Sequence, residues 1–118
     1  IPKLHSKYLG WFSHARLKLK SLQHKRKTLT STLREYYAGD LNHPDSLKEI
    51  SRPPWARKVL KQDMHYYIDA DKEMVVLNLK IATQEEVVLV LEEILKALNT
   101  RNFLIKSSID FMRLTMGG

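Results

Sequence analysis

Positions 8, 12, 15, 19, 22, 26, 29, 33 and 36 alternate in steps of four and three, and they read Tyr, Phe, Ala, Leu, Leu, Arg, Leu, Leu and Tyr. Eight of these nine residues are apolar, so on a 3.6-residue helix they form one continuous stripe. Residues 4–38 contain no proline and a single glycine, Gly10, so nothing interrupts that helix. The stripe is too narrow to face a broad core. It requires packing against a second long helix, with Arg26 as the one charge in the seam. Gly39 follows directly and suits the left-handed position past a helix C-terminus, which predicts a basic helix over 1–38.

The charge lies on that same segment. The chain carries 20 Lys and Arg against 13 Asp and Glu in 118 residues, for a net charge of +7. Residues 1–38 hold nine of the cations (Lys3, Lys7, Arg16, Lys18, Lys20, Lys25, Arg26, Lys27 and Arg34) and one acid, Glu35, so this third carries +8 and the remainder −1. A segment with nine cations to one acid on a nearly neutral scaffold points to a polyanionic partner. Lys18, Lys20, Lys25, Lys27 and Arg34 lie off the apolar seam, and Trp11, Tyr36 and Tyr37 lie among or beside them. Cations beside aromatic rings suit single-stranded nucleic acid, where phosphates are neutralised and bases stack. A basic amphipathic helix on an anionic membrane surface is the competing reading.

The rest of the chain divides further. Residues 39–54 hold three of the four prolines and predict a connector with at most one helical turn near 46–50. Pro53 and Pro54 open a short helix over 56–63 that supplies Arg57, Lys58 and Lys61. Over 74–82, Val75, Leu77, Leu79 and Ile81 recur at every second residue, which predicts a strand. His65–Ile68 is its hairpin partner and 69–72 the turn. Thr83 and Glu86 then read as a capping box opening a helix to about Asn99, and a last helix is expected over 102–114. That last helix bears apolar residues on two sides, Ile105, Ile109, Met112 and Met116 on one and Leu104 and Phe111 on the other. A second copy of the chain is the economical cover, with Phe103 also in the seam. The expected fold is mainly α with a minor β part: a long basic helix, a short hairpin and two self-associating C-terminal helices, in one domain over 1–118.

Several chemistries are disfavoured. There is no cysteine, which removes disulfides and thiolate sites. The five histidines never fall at helical spacing, so no metal or other cofactor is expected. Asp69, Asp71 and Glu73 could hold a hard cation, and Asp69 and Asp71 could serve a small nuclease, but a solvated turn is the weightier reading because the partners of a calcium loop are missing. No phosphate loop or nucleophile motif nominates an enzyme. The longest apolar run, 87–91, is far short of the roughly 20 residues that cross a bilayer. No signal-peptide core is visible at the start, so the expectation is a protein that is neither membrane-bound nor secreted.

Lys25-Arg26-Lys27, Arg34-Glu35-Tyr36-Tyr37-Ala38-Gly39, Ala70-Asp71-Lys72, Arg101-Asn102-Phe103-Leu104-Ile105-Lys106, Ile109-Asp110 and Met112-Arg113 occur in this order. Together they give a chain that resembles the UvsY family of recombination mediators of T-even-type phages. The resemblance implies a non-enzymatic protein in the cytoplasm of an infected bacterial host. Such a protein binds single-stranded DNA, forms a ring-like homo-oligomer of the hexamer or heptamer class, loads a RecA-like recombinase and helps to displace single-strand-binding protein. The family's basic-Ala-basic-Leu motif falls on Ser31-Thr32-Leu33-Arg34, which does not match it. That places the expected DNA contacts first on Lys25, Arg26, Lys27 and Arg34, which flank the motif on the same helix, with Lys18, Lys20, Tyr36, Tyr37, Arg57 and Lys58 as the further candidates. The expected self-association residues are Phe103, Ile105, Ile109, Phe111, Met112 and Met116. A structural protein whose basic helix binds an acidic partner or an anionic surface is the alternative.

Overall fold

The computed structural model describes residues 2–115, and all of its regular structure is helical. Helix α1 spans Pro2–Tyr37, α2 spans Pro44–Ile50, a single 3-10 turn covers Lys61–Asp63, α3 spans Met64–Ala70 and α4 spans Lys72–Thr115. The described residues form two compact units, one made of residues 20–82 and the other of 2–19 with 83–115.

The α1 stripe behaves as its spacing requires: all nine seam positions are buried or half-buried, and Leu33 is fully buried. Ala38 and Gly39 close the helix by donating their amides to the Arg34 and Tyr36 carbonyls at 3.0 and 3.1 Å. Gly39 has a φ of +83°, the left-handed conformation expected there.

The predicted hairpin does not form. Residues 65–68 lie in α3, 74–82 lie within α4, and no strand occurs among the described residues. The reason is a second heptad stripe that the alternation obscured. Met74, Leu77, Ile81, Gln84, Val88, Leu91, Leu95, Leu98 and Asn102, in steps of three and four, are buried or half-buried along α4, with Glu92 and Ile94 half-buried beside them. Leu79, which a strand would have placed beside Leu77 and Ile81, is 64% exposed. The two expected C-terminal helices are likewise one helix: residues 83–86 and 99–102 sit inside α4 rather than at caps. The connector forms α2, longer than one turn, with His43 at its start accepting the Asp45 amide at 3.3 Å. The short helix expected over 56–63 is replaced by irregular chain followed by the 3-10 turn.

The core of the 20–82 unit joins Leu33, Tyr36, Tyr37, Leu47, Val59, Ile68 and Met74. Each fully buried aliphatic side chain of this kind contributes about 1.5–3 kcal/mol. Trp55 completes an aromatic group, edge-on to Tyr37 at 4.7 Å between ring centroids. In the other unit Ala15 and Leu95 are buried, and Gln84 donates through Nε2 to the Ala15 carbonyl at 3.0 Å. That bond satisfies the one buried amide side chain of the α4 stripe.

Candidate nucleic-acid interface

The off-seam cations of α1 are where the helical spacing puts them: Lys18, Lys20, Lys25, Lys27 and Arg34 are exposed. Arg26 sits on the seam, half-buried, with its guanidinium reaching Asn78 Oδ1 on α4 at 3.4 Å. Arg57 and Lys58 are exposed on the irregular chain after α2. Tyr36 and Tyr37 are placed differently from the expectation. Both are buried in the core, and the Tyr36 hydroxyl donates to the Pro53 carbonyl at 2.8 Å, so neither ring offers a face to a base.

Two hollows flank α1 within the 20–82 unit. The larger, about 870 Å³, holds Arg26, Arg34 and Lys61 but also Glu35, Asp40 and Asp69. Its fixed charges balance. The other, about 480 Å³, lies between α1 and α4 and is lined by Lys25, Lys72 and Lys80 together with the apolar Leu29, Val76 and Leu77. Its one acid, Glu73, is turned to Arg52, with Nη2 donating to Oε1 at 3.1 Å. Three lysines thus line a groove whose single carboxylate already has a partner. Lys72, Val76 and Lys80 stand at i, i+4 and i+8, one row along α4. Sequence reasoning passed over Lys72 and Lys80 by assigning them to a turn and a strand. The same row would have been legible had the segment been read as a helix.

Asp71 precedes the helix that carries Lys72 and Lys80. Arg52 donates from Nη1 to Oδ2 and from Nη2 to Oδ1 at 2.6 and 2.7 Å, and the Tyr37 hydroxyl donates to Oδ2 at 2.6 Å. The Glu73 amide also donates to Oδ1 at 3.0 Å, which makes Asp71 the N-cap of α4. Burial would raise the Asp71 pKa, but the Arg52 and Tyr37 hydrogen bonds override it and hold the carboxyl below its ordinary value. Burial, then the hydrogen bond to Asp71, pushes the Tyr37 phenol up to about 12. The hydrogen bond to Asp71 keeps Arg52 charged against the cost of its burial. Asp71 is therefore neither part of a solvated turn nor available to a cation. No group of three or more metal-ligating side chains occurs among the described residues.

In the other unit, Phe103, Ile105, Ile109, Phe111 and Met112 are all exposed on the last turns of α4, with Phe103 at 68% and Phe111 at 66%. Met116 lies outside the described residues. No helix among the described residues is long and apolar enough to cross a membrane.

The described residues thus form a helical scaffold with three lysines lining one groove and nine cations against one acid on α1. The chain belongs to the UvsY family: the family described as recombination, repair and ssDNA binding protein UvsY matches it over residues 1–118. No curated protein and no solved structure matches it.

Proposed function

We propose that this protein is a non-enzymatic recombination mediator. It holds single-stranded DNA by the phosphates along the α1–α4 groove while a RecA-like recombinase is loaded and single-strand-binding protein is displaced, in the cytoplasm of an infected bacterial host. The observation that carries this reading is the convergence of Lys25, Lys72 and Lys80 on a groove whose one acid is already paired with Arg52. Lys20, Lys27 and Arg34, at seven-residue intervals, are also exposed but lie on a different face of α1 from Lys25.

One subunit would make only a handful of phosphate contacts, which is weak at physiological salt. The exposed apolar residues of the last α4 turns support self-association into a ring-like homo-oligomer. Each added subunit then engages the same strand at high effective concentration, so modest sites give tight wrapping. Backbone-held DNA keeps its bases available to a recombinase.

Anisotropy titrations of a labelled single-stranded oligonucleotide at several salt concentrations, with an acidic peptide as competitor, test the reading. Affinity should fall steeply with salt, with a slope of at least about −2 from the three groove lysines at roughly 0.7 per contact. Salt-independent binding, or displacement of the DNA by equimolar acidic peptide, would favour an assembly protein with an acidic partner instead.

A further inference from the structure

The lysine groove has a neighbour. Tyr66, Tyr67, Ala70 and Asp71 border a separate hollow of about 410 Å³ on α3, with the buried Tyr37 behind them. Asp71 lines this hollow and Lys72 lines the lysine groove. These are consecutive residues, with Cα atoms about 3.8 Å apart, so the linings of the two depressions adjoin along the chain at the start of α4.

Tyr66 differs from the other aromatic residues of this unit. Tyr36 and Tyr37 are buried, Trp55 and Tyr67 are half-buried, and Tyr66 alone among them is exposed, at 65%. It is also not a freely swinging side chain. The His65 imidazole lies against it at 4.0 Å between ring centroids, tilted by 37°, which steadies one side of the phenol. Tyr67 is anchored behind it on Trp55 and Tyr37, at 6.0 and 5.7 Å.

A single exposed tyrosine is ordinary on a protein surface. One that stands where a cationic groove ends has the second half of a single-strand site. The lysines neutralise phosphates, and an aromatic face accepts the base that the backbone presents next, irrespective of its identity. We infer that Tyr66 is a base-stacking platform at the end of the Lys25–Lys72–Lys80 groove. This rests on the reading of the groove as a single-stranded DNA site, and it replaces Tyr36 and Tyr37 in that role with a residue on α3.

The test uses the full chain, with Tyr66→Ala and Tyr66→Phe variants, against two labelled oligonucleotides of equal length. One is oligo-dT and the other carries abasic sugars throughout. Far-UV circular dichroism first confirms equal helicity of the three proteins. Tyr66→Ala should bind oligo-dT about 10-fold more weakly, the scale of one lost stacking contact, and the abasic strand as well as the parent does. Tyr66→Phe should restore oligo-dT binding. Equal loss on both strands, or no loss on oligo-dT, overturns the platform while leaving the groove intact. A parent protein that binds neither strand would remove the DNA reading itself.

Discussion

Arg52 and Asp71 face each other with two parallel hydrogen bonds of 2.6 and 2.7 Å, and this fork joins the connector to the first residue before α4. The Asp71 side chain is 4% exposed and that of Arg52 15%, so the pair is shielded from water, and the Tyr37 hydroxyl occupies part of the remaining acceptor capacity. A buried pair of this kind is costly to break from one side, because the surviving charge is left without compensation. Asp71→Asn should therefore destabilise the protein by about 3 kcal/mol, measured by urea denaturation followed through tryptophan fluorescence. A loss below about 1 kcal/mol would show that water reaches Arg52 readily.

The same cluster predicts how stability responds to pH. The ordinary carboxyl pKa is 3.8 and the folded value of Asp71 lies below it, so its contribution is complete above about pH 4 and fades as pH falls through the lower folded value. Tyr37 acts at the other end. Its phenol titrates at 10.0 when unperturbed and at about 12 in the fold, so stability is intact below pH 10 and declines as pH rises towards 12. Melting temperatures from pH 2 to 5 and from pH 9 to 12 should show both limbs. Asp71→Asn should flatten the acid limb, and Tyr37→Phe the alkaline one.

For the groove, a Lys25/Lys72/Lys80→Ala triple variant should keep its fold, because all three side chains are exposed. The slope of log affinity for single-stranded DNA against log salt should become shallower by about 2, from three lost phosphate contacts. Lys96→Ala is the matched control: that lysine pairs with Glu92 and Glu93 in the other unit at 3.7 and 3.5 Å and should leave the slope unchanged. An unaltered slope in the triple variant would move the contacts elsewhere on α1.

Self-association should depend on the last turns of α4. Ile109 is exposed and continues the 3-4 spacing of the buried α4 stripe. Ile109→Asp places a charge in any apolar contact made there, so sedimentation velocity should show a smaller species and DNA affinity should fall with it. An assembly of unchanged mass would assign the contact to another surface.

The end of α1 offers a purely conformational test. A Cβ at Gly39 would meet nothing within 4 Å, so Gly39→Ala carries only the penalty of φ at +83°, about 1 kcal/mol. Gly39→Asn should cost less, since asparagine tolerates that region better. Denaturation midpoints of the two variants separate the cases.

How much of this was legible in the sequence depended on whether one period dominated. In α1 the residues between seam positions are mostly polar, with Leu9, Trp11 and Leu17 as exposed exceptions that fit no two-residue alternation over the helix, so the seam and its glycine stop were evident. In α4, Val75, Val76, Leu79, Val87, Leu89 and Val90 add exposed apolar residues to a buried stripe. Over 74–82 that mixture satisfies a two-residue alternation as well as a helical one. Only the continuation of the 3-4 spacing past residue 82 resolves it. Asp71 was misjudged for a different reason: its partners lie 19 and 34 residues away in the chain, and no local pattern announces a bond of that range. The cationic character of the site was visible in segment charge. Its second wall, Lys72 and Lys80, was hidden by the strand assignment.

Glu73 stands beside Lys72 in sequence and on the wall of the same groove, yet its carboxylate is drawn to Arg52. Arg52 therefore acts as a decoy for the groove's own counter-charge. Were it withdrawn, Glu73 would be released to its lysine neighbours and the groove would begin to neutralise itself. An arginine that need never touch the ligand thus sets how much positive charge remains to greet it.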